Sequence, residues 1–160
     1  MQLSEHFSFE ELTTVGPHVG IFNDPPQELA ANLVKVAEKL EQARAIWGVP
    51  VRISYGYRSE ALNTACGSTS PTSAHLEGLA ADAIPQGLDL RDAWDALVAD
   101  PAFMQDVDQL IIERGCVHIG LPVFQHHFIP RHELRLDEDL NGRRAYPLYG
   151  IWTANGVVKA

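Results

Sequence analysis

Two apolar runs, Asp108 to Glu113 and Cys116 to Leu121, are separated by Arg114-Gly115 alone. Extended segments joined by two residues, the second a glycine, read as a β-hairpin, and a hairpin is antiparallel by construction. Any fold for this chain must accommodate that pair. Val51 to Ser54 and Leu79 to Ile84 read as further strands, and Tyr149 to Thr153 with Val157 to Lys159 as a last hairpin turning at Asn155-Gly156. Asn141-Gly142 is a second tight-turn dipeptide. After Pro25-Pro26, apolar residues Leu29, Leu33, Val36, Ala37, Leu40, Ala43 and Ile46 recur at three- and four-residue steps, and Gly48 stands at the C-cap position. This spacing predicts an amphipathic helix from Glu28 to Trp47. Ser8-Phe-Glu-Glu11 has the spacing of a capping box, so a short helix starts there. Ser59 caps a short helix through Asn63, Gly67 to Ser73 is a turn-rich loop, and Asp89 caps a helix to about Val98 that Asp100-Pro101 ends. After Pro122 the pattern weakens into an irregular segment holding His126, His127 and His132, read as solvated loop residues rather than a second metal site. The class is α+β, with helices packed on a small, mainly antiparallel sheet.

A chain of 160 residues favours one domain with one core. Its net charge of −9 argues against nucleic-acid binding, which needs a basic face, and against attachment to anionic lipid. The segment Met1-Gln-Leu-Ser-Glu-His6 lacks the basic and apolar parts of a secretory signal, and no apolar run approaches the roughly 20 residues of a membrane span. Cys66 and Cys116 have no C-x-x-C spacing, and nothing indicates an oxidising compartment, so they read as small buried thiols.

His75 and Asp82 lie in one run, and His118 lies on the second hairpin strand. Two imidazoles and one carboxylate are the ligand set of a catalytic zinc, which keeps three protein ligands and leaves the fourth position for water. A loop ligand followed by a strand ligand suits the spacing of seven better than a helix, because Gly78 interrupts it. On a strand, Asp82 shares its face with Ala80 and His118 shares its face with Cys116, while Ala81, Ala83, Val117 and Ile119 point the other way. Hydrolysis also needs a carboxylate to move a proton, for which Glu113 is the candidate across the turn from His118. It needs a cation to hold a substrate carboxylate or an oxyanion, for which Arg58 is the candidate. Each has a plainer reading. A lone histidine or aspartate is usually a surface or hydrogen-bonding residue, Glu113 beside Arg114 could be an exposed ion pair, and Arg58 could cap a helix or pair with Glu60.

Ser54-Tyr-Gly-Tyr-Arg58-Ser-Glu-Ala-Leu-Asn63, then Ser73-Ala-His75-Leu-Glu-Gly78-Leu-Ala-Ala-Asp82, then Val117-His118-Ile119 resemble the zinc D-Ala-D-Ala carboxypeptidase family. That family includes phage endolysin peptidases, vancomycin-resistance dipeptidases and the hedgehog signalling domain. Leu3-Ser-Glu-His6-Phe7 is similar to its phage and prophage branch. The resemblance covers roughly residues 1 to 121, leaving 122 to 160 as a C-terminal extension packed on the same domain. It implies the α+β fold shared by these peptidases and hedgehog, and zinc held by His75, Asp82 and His118. It implies Arg58 and Ser73 at the substrate, and as substrate peptidoglycan stem peptides cut at a bond involving a D-amino acid or at L-alanyl-D-glutamate; Glu113 remains the candidate base and then acid. A monomer is expected, acting in the host cytoplasm with holin-dependent release to the cell wall, or on a virion. Many members carry the catalytic acid at the position of Gly115, which has no side chain to act with. Another branch places a glutamate further upstream, and Glu113 stands nearest to it across a turn one residue shorter. Cys116 occupies a position that is often tryptophan, which puts a thiol near the zinc. The alternative function is a non-catalytic, zinc-containing module that binds the cell wall or builds a virion, since hedgehog retains the zinc site without a demonstrated peptidase role.

Overall fold

In the computed structural model, seven strands hydrogen-bond into one sheet and helices cover one of its faces. Residues 1–68, 70–113, 115–123, 129–136, 138–140, 143–145 and 147–160 are described. The strands of the main sheet are β1 (Val51–Tyr55), β2 (Ala80–Pro85), β3 (Gln109–Glu113), β4 (Cys116–Gly120), β5 (Glu133–Arg135), β8 (Leu148–Thr153) and β9 (Gly156–Lys159). Their order across the sheet is β1-β2-β4-β3-β5-β8-β9. Every neighbouring pair is antiparallel except β3 and β5, so the sheet is mixed at a single seam. A separate two-stranded ladder joins β6 (Glu138–Leu140) to β7 (Arg143–Ala145).

Local chemistry sets most boundaries. Helix α1 (Phe9–Leu12) carries the complete Ser8–Glu11 capping box. After a 3-10 turn at Gln27–Leu29, the 18-residue helix α2 (Ala30–Trp47) stops where Gly48 turns left-handed at φ 67°. Ser59 caps α3 (Glu60–Ala65), and Asp89 caps α4 (Leu90–Val98) by accepting from the backbone N–H groups of Arg91 and Asp92. Two expectations are corrected. Asp100-Pro101 ends α4 but also opens α5 (Pro101–Met104), because Asp100 accepts from the Phe103 N–H at 2.8 Å and proline suits a first turn. The segment after Pro122 is not wholly irregular, since it supplies β5, β6 and β7. Asn141-Gly142 lies outside the described residues.

The core lies between the sheet and the helices α2 and α4. Ala81, Ala83, Leu110, Val117 and Ile119 face Leu33, Val36, Leu40, Trp94 and Leu97, all buried. Trp47 Nε1 donates to the Ala93 carbonyl at 2.8 Å and Trp94 Nε1 to the Leu110 carbonyl at 3.3 Å, so both indoles bury their rings without orphaning a donor. The strand period of two then sends Asp82, His118, Ile111 and Cys116 to the opposite face.

Candidate metal centre

The register of the central strands brings the centre together. Asp82 on β2 lies directly opposite His118 on β4, the second and third strands of the seven. His75 arrives from the turn that precedes β2. That turn is built by Leu76 N–H to Ser73 O and Leu79 N–H to Ala74 O. Gly78 takes φ 63° with its missing Cβ against Leu33, and Asn32 Nδ2 of α2 holds the Glu77 carbonyl at 2.9 Å. The ligand from the turn is thus docked on the main helix.

His75 Nε2 lies 3.1 Å from His118 Nδ1 and 3.2 Å from Asp82 Oδ1, and His118 Nδ1 lies 2.9 Å from the same oxygen. All three residues are buried. A tetrahedral ion with arms of about 2.0–2.2 Å separates its ligand atoms by roughly 3.3–3.5 Å, so this triangle needs only a slight opening to hold one. The donor chemistry fits as well. His75 Nδ1 donates to the Gly56 carbonyl at 2.6 Å, which leaves the lone pair on Nε2 facing the centre. His118 directs Nδ1 inward, and its Nε2 lies 3.1 Å from where a Cβ on Gly120 would stand, so glycine gives the ring room. Gly56 is equally constrained, because a Cβ there would overlap the Leu12 carbonyl and stand 2.9 Å from Leu12 Cα. Ser54 Oγ donates to the Asp82 carbonyl at 3.1 Å.

The electrostatics sort the three groups. Burial pushes the His75 imidazolium down, so that ring is neutral. Burial opposes charge on His118 too, but the hydrogen bond and charge of Asp82 outweigh it and raise that pKa. Burial alone would raise the Asp82 carboxyl. The charge that His75 carries when protonated and the His118 hydrogen bond outweigh it and hold the carboxyl well below its usual range.

Glu113 and Cys116 adjoin this triangle as opposed residues at the end of the hairpin. A Glu113 carboxylate oxygen, the Cys116 sulfur and an Asp82 oxygen lie within 4.8 Å of one another. Cys116 groups with the two carboxylates rather than with the imidazoles, and burial, then Asp82 and Glu113, push its thiol pKa far up. Both cysteines are free. Gly115 holds the turn with φ 81°, which explains a glycine there.

Arg58 lies three residues beyond β1 and neither caps a helix nor pairs with Glu60. It is buried, its Nη2 is 3.7 Å from Asp82 Oδ2, and its backbone N–H donates to the His75 carbonyl at 3.0 Å. Ser73 is half-buried two residues before His75. The structure therefore gathers His75, Asp82, His118, Glu113 and Arg58 about one centre, with Ser73 in the turn that delivers His75. Two residues at its edge escaped the sequence reading. Asn63 on α3 is buried with an unpartnered Oδ1, and it lines a cleft of about 340 Å³ with Glu60, Thr64, Ser68 and Leu76, the residue after His75. Asn23 donates to the Thr13 and Tyr57 carbonyls and accepts from the Ser59 N–H. Nothing in spacing marks either. A larger cleft, about 680 Å³ between α2 and the residues after α5, contains none of the site residues.

His126 and His127 lie outside the described residues. His132 is a loop residue, as expected, but only partly solvated. It is half-buried at φ 53°, and its ring centroid is 5.3 Å from that of Trp152. It joins no metal-binding group among the described residues.

The sequence profile of the peptidase M15 family matches residues 5–120. The chain belongs to the peptidase M15 family. Membership indicates a metallopeptidase, and the buried His75–Asp82–His118 triangle is a group that could hold its metal ion. The matched span contains every residue of the centre and stops at the end of β4. No curated protein matches the chain closely enough to serve as a relative. Among the described residues, no helix of this M15 chain is long and apolar enough to cross a membrane.

Proposed function

We propose that this M15 chain is a zinc-dependent peptidoglycan peptidase, phage or prophage encoded, that cleaves cell-wall stem peptides. The reaction is of the D-Ala-D-Ala carboxypeptidase or the L-Ala-D-Glu endopeptidase type. The observation that carries the reading is the convergence of three unprotonated-ready ligand atoms with a separate carboxylate, Glu113, within reach of the same aspartate. His75, Asp82 and His118 would hold the ion, which when bound supplies a Lewis acid that lowers the pKa of water and polarises a carbonyl. Glu113 takes the proton of the attacking water and returns it to the departing amine. Arg58 holds the substrate carboxylate or the oxygen that gains negative charge, and its unpartnered Nε is a donor free for that use. Ser73 contacts the substrate from the turn that carries His75. The cleft beside Asn63 has the position and polarity to take the rest of a stem peptide. Action as an endolysin or as a virion component fits the phage-like opening of the chain.

The test is mass spectrometry of purified muropeptides after digestion with the zinc-loaded protein. His75→Ala and Asp82→Ala are expected to lose both zinc and cleavage. Glu113→Gln is expected to keep zinc and wall binding while losing about 10²–10⁴-fold in rate. Undiminished cleavage by a metal-free His75→Ala protein would overturn the reading. Wall binding without cleavage of any muropeptide by the native sequence would assign the chain to a non-catalytic module instead.

A further inference from the structure

The Arg58 guanidinium is enclosed yet barely held by polar contacts. The residue is 9% exposed, its Nε has no hydrogen-bond partner among the described residues, and its Nη2 stands 3.7 Å from Asp82 Oδ2, beyond hydrogen-bond length. An arginine side chain carries substantial rotamer freedom, so such contacts leave its direction open. A second contact restricts it. The guanidinium carbon lies 5.6 Å from the centroid of the Tyr55 ring, inside the range of a cation–π attraction.

The Tyr55 ring is itself wedged. Its backbone pairs with Asp82 at the irregularity that ends the β1–β2 ladder, which turns the side chain toward the metal centre rather than the core. Its hydroxyl lies near the thiol of Cys66, the C-cap residue of α3. Gly16 passes so closely that a Cβ there would lie 3.0 Å from the phenol oxygen, and the His18 ring sits 6.4 Å away, centroid to centroid. Three parts of the chain therefore hold one aromatic ring, and the ring holds one cation.

We infer that Tyr55 is the positioning residue for Arg58, its ring serving as the platform that keeps the guanidinium beside Asp82 and facing the substrate. The inference rests on the peptidase reading for its kinetic consequence but not for its geometry. Tyr55 touches no reacting atom; it acts through Arg58. The ring face does the positioning, so phenylalanine should substitute and an aliphatic residue should not.

The experiment uses the zinc-loaded full chain. In the native protein, nuclear Overhauser contacts are expected between the Tyr55 ring protons and the Arg58 Hδ and Hε, with the Arg58 Nε–H signal shifted by the ring current. Tyr55→Phe should keep that shift and stay within about twofold of native kcat/KM, while Tyr55→Leu should lose it and fall about tenfold with zinc content unchanged. In an Arg58→Ala background, Tyr55→Leu should cost nothing further. Absence of the Overhauser contacts in the native protein would overturn the inference without any variant. A full tenfold loss persisting in the Arg58→Ala background would also overturn it, as would a Tyr55→Phe protein as impaired as Tyr55→Leu. If the native protein shows the contacts yet cleaves nothing, the peptidase reading falls and the positioning of Arg58 stands.

Discussion

Two imidazoles and a carboxylate held within 3.2 Å of one another compete for protons before any metal arrives. Burial keeps His75 neutral, whereas Asp82 raises His118, so His118 carries the proton that an incoming ion must displace. In the metal-free protein the raised His118 contributes stability that is full below about 6.5 and is lost as pH rises through its folded value. The depressed Asp82 works the other way: its contribution is present above about 3.9 and is lost as pH falls through its folded value. Metal binding inverts the first of these, since the ion needs His118 unprotonated. We expect zinc affinity, measured by chelator competition from about pH 8 to about pH 5, to begin falling above the ordinary histidine value of about 6.5. Calorimetry in buffers of different ionisation enthalpy should register about one proton released per ion near neutrality. An affinity that stays flat across that range would mean that His118 is not protonated in the metal-free protein.

The hairpin of β3 and β4 fixes Glu113 opposite Cys116, and through them fixes the reach of the carboxylate to the Asp82 side of the centre. Gly115 makes that turn at φ 81° with open space where a Cβ would stand, so the requirement is conformational and not steric crowding. Gly115→Val should cost about 1–2 kcal/mol through left-handed strain, and Gly115→Asn should recover much of it. Thermal melts measure the cost. Cleavage assays should show the valine variant losing more activity than zinc, because β4 still presents His118 while Glu113 shifts. Equal melting temperatures for the two variants would refute the argument. Elements with local signals were legible in the sequence: the Ser8 box, the Gly48 cap, both hairpins, and the alternation that separates Asp82 from Ala81. Helix α5 was not, because a proline after a helix reads as a stop, and its second use as a first-turn residue depends on Asp100 capping it. Strand β5 has three residues whose partner in the sequence lies more than twenty positions earlier, so no local period betrays it. The three residues that converge as candidate metal ligands were legible through spacing and resemblance together. Tyr55 was not, since an aromatic residue beside a glycine reads as core until its neighbours in space are known.

Across the whole molecule, residues beyond the matched span are structurally tied to it. Strand β5 pairs with β3, Leu134 is completely buried in the common core, and Trp152 Nε1 donates to the Val98 carbonyl at 3.1 Å. Arg131 grips buried Asp108 from its backbone N–H at 2.7 Å and its guanidinium Nη2 at 2.6 Å. A chain ended at Leu121 would expose the β3 edge, leave the Asp108 carboxylate without its cation and open a void at Leu134, changes worth about 2–5 kcal/mol at the leucine alone. We expect such a chain to lose its cooperative thermal transition and its zinc. A truncated protein that melts like the full chain would show that residues 122–160 are dispensable for folding. The amino-terminal side is coupled just as directly, through Gly56. The Leu12 carbonyl at the end of α1 receives the Tyr57 N–H at 2.7 Å and presses on Gly56, and the Gly56 carbonyl sets the tautomer of His75. The dwell time of a bound ion is therefore a gauge of how firmly α1 is seated, readable at a ligand that lies outside α1.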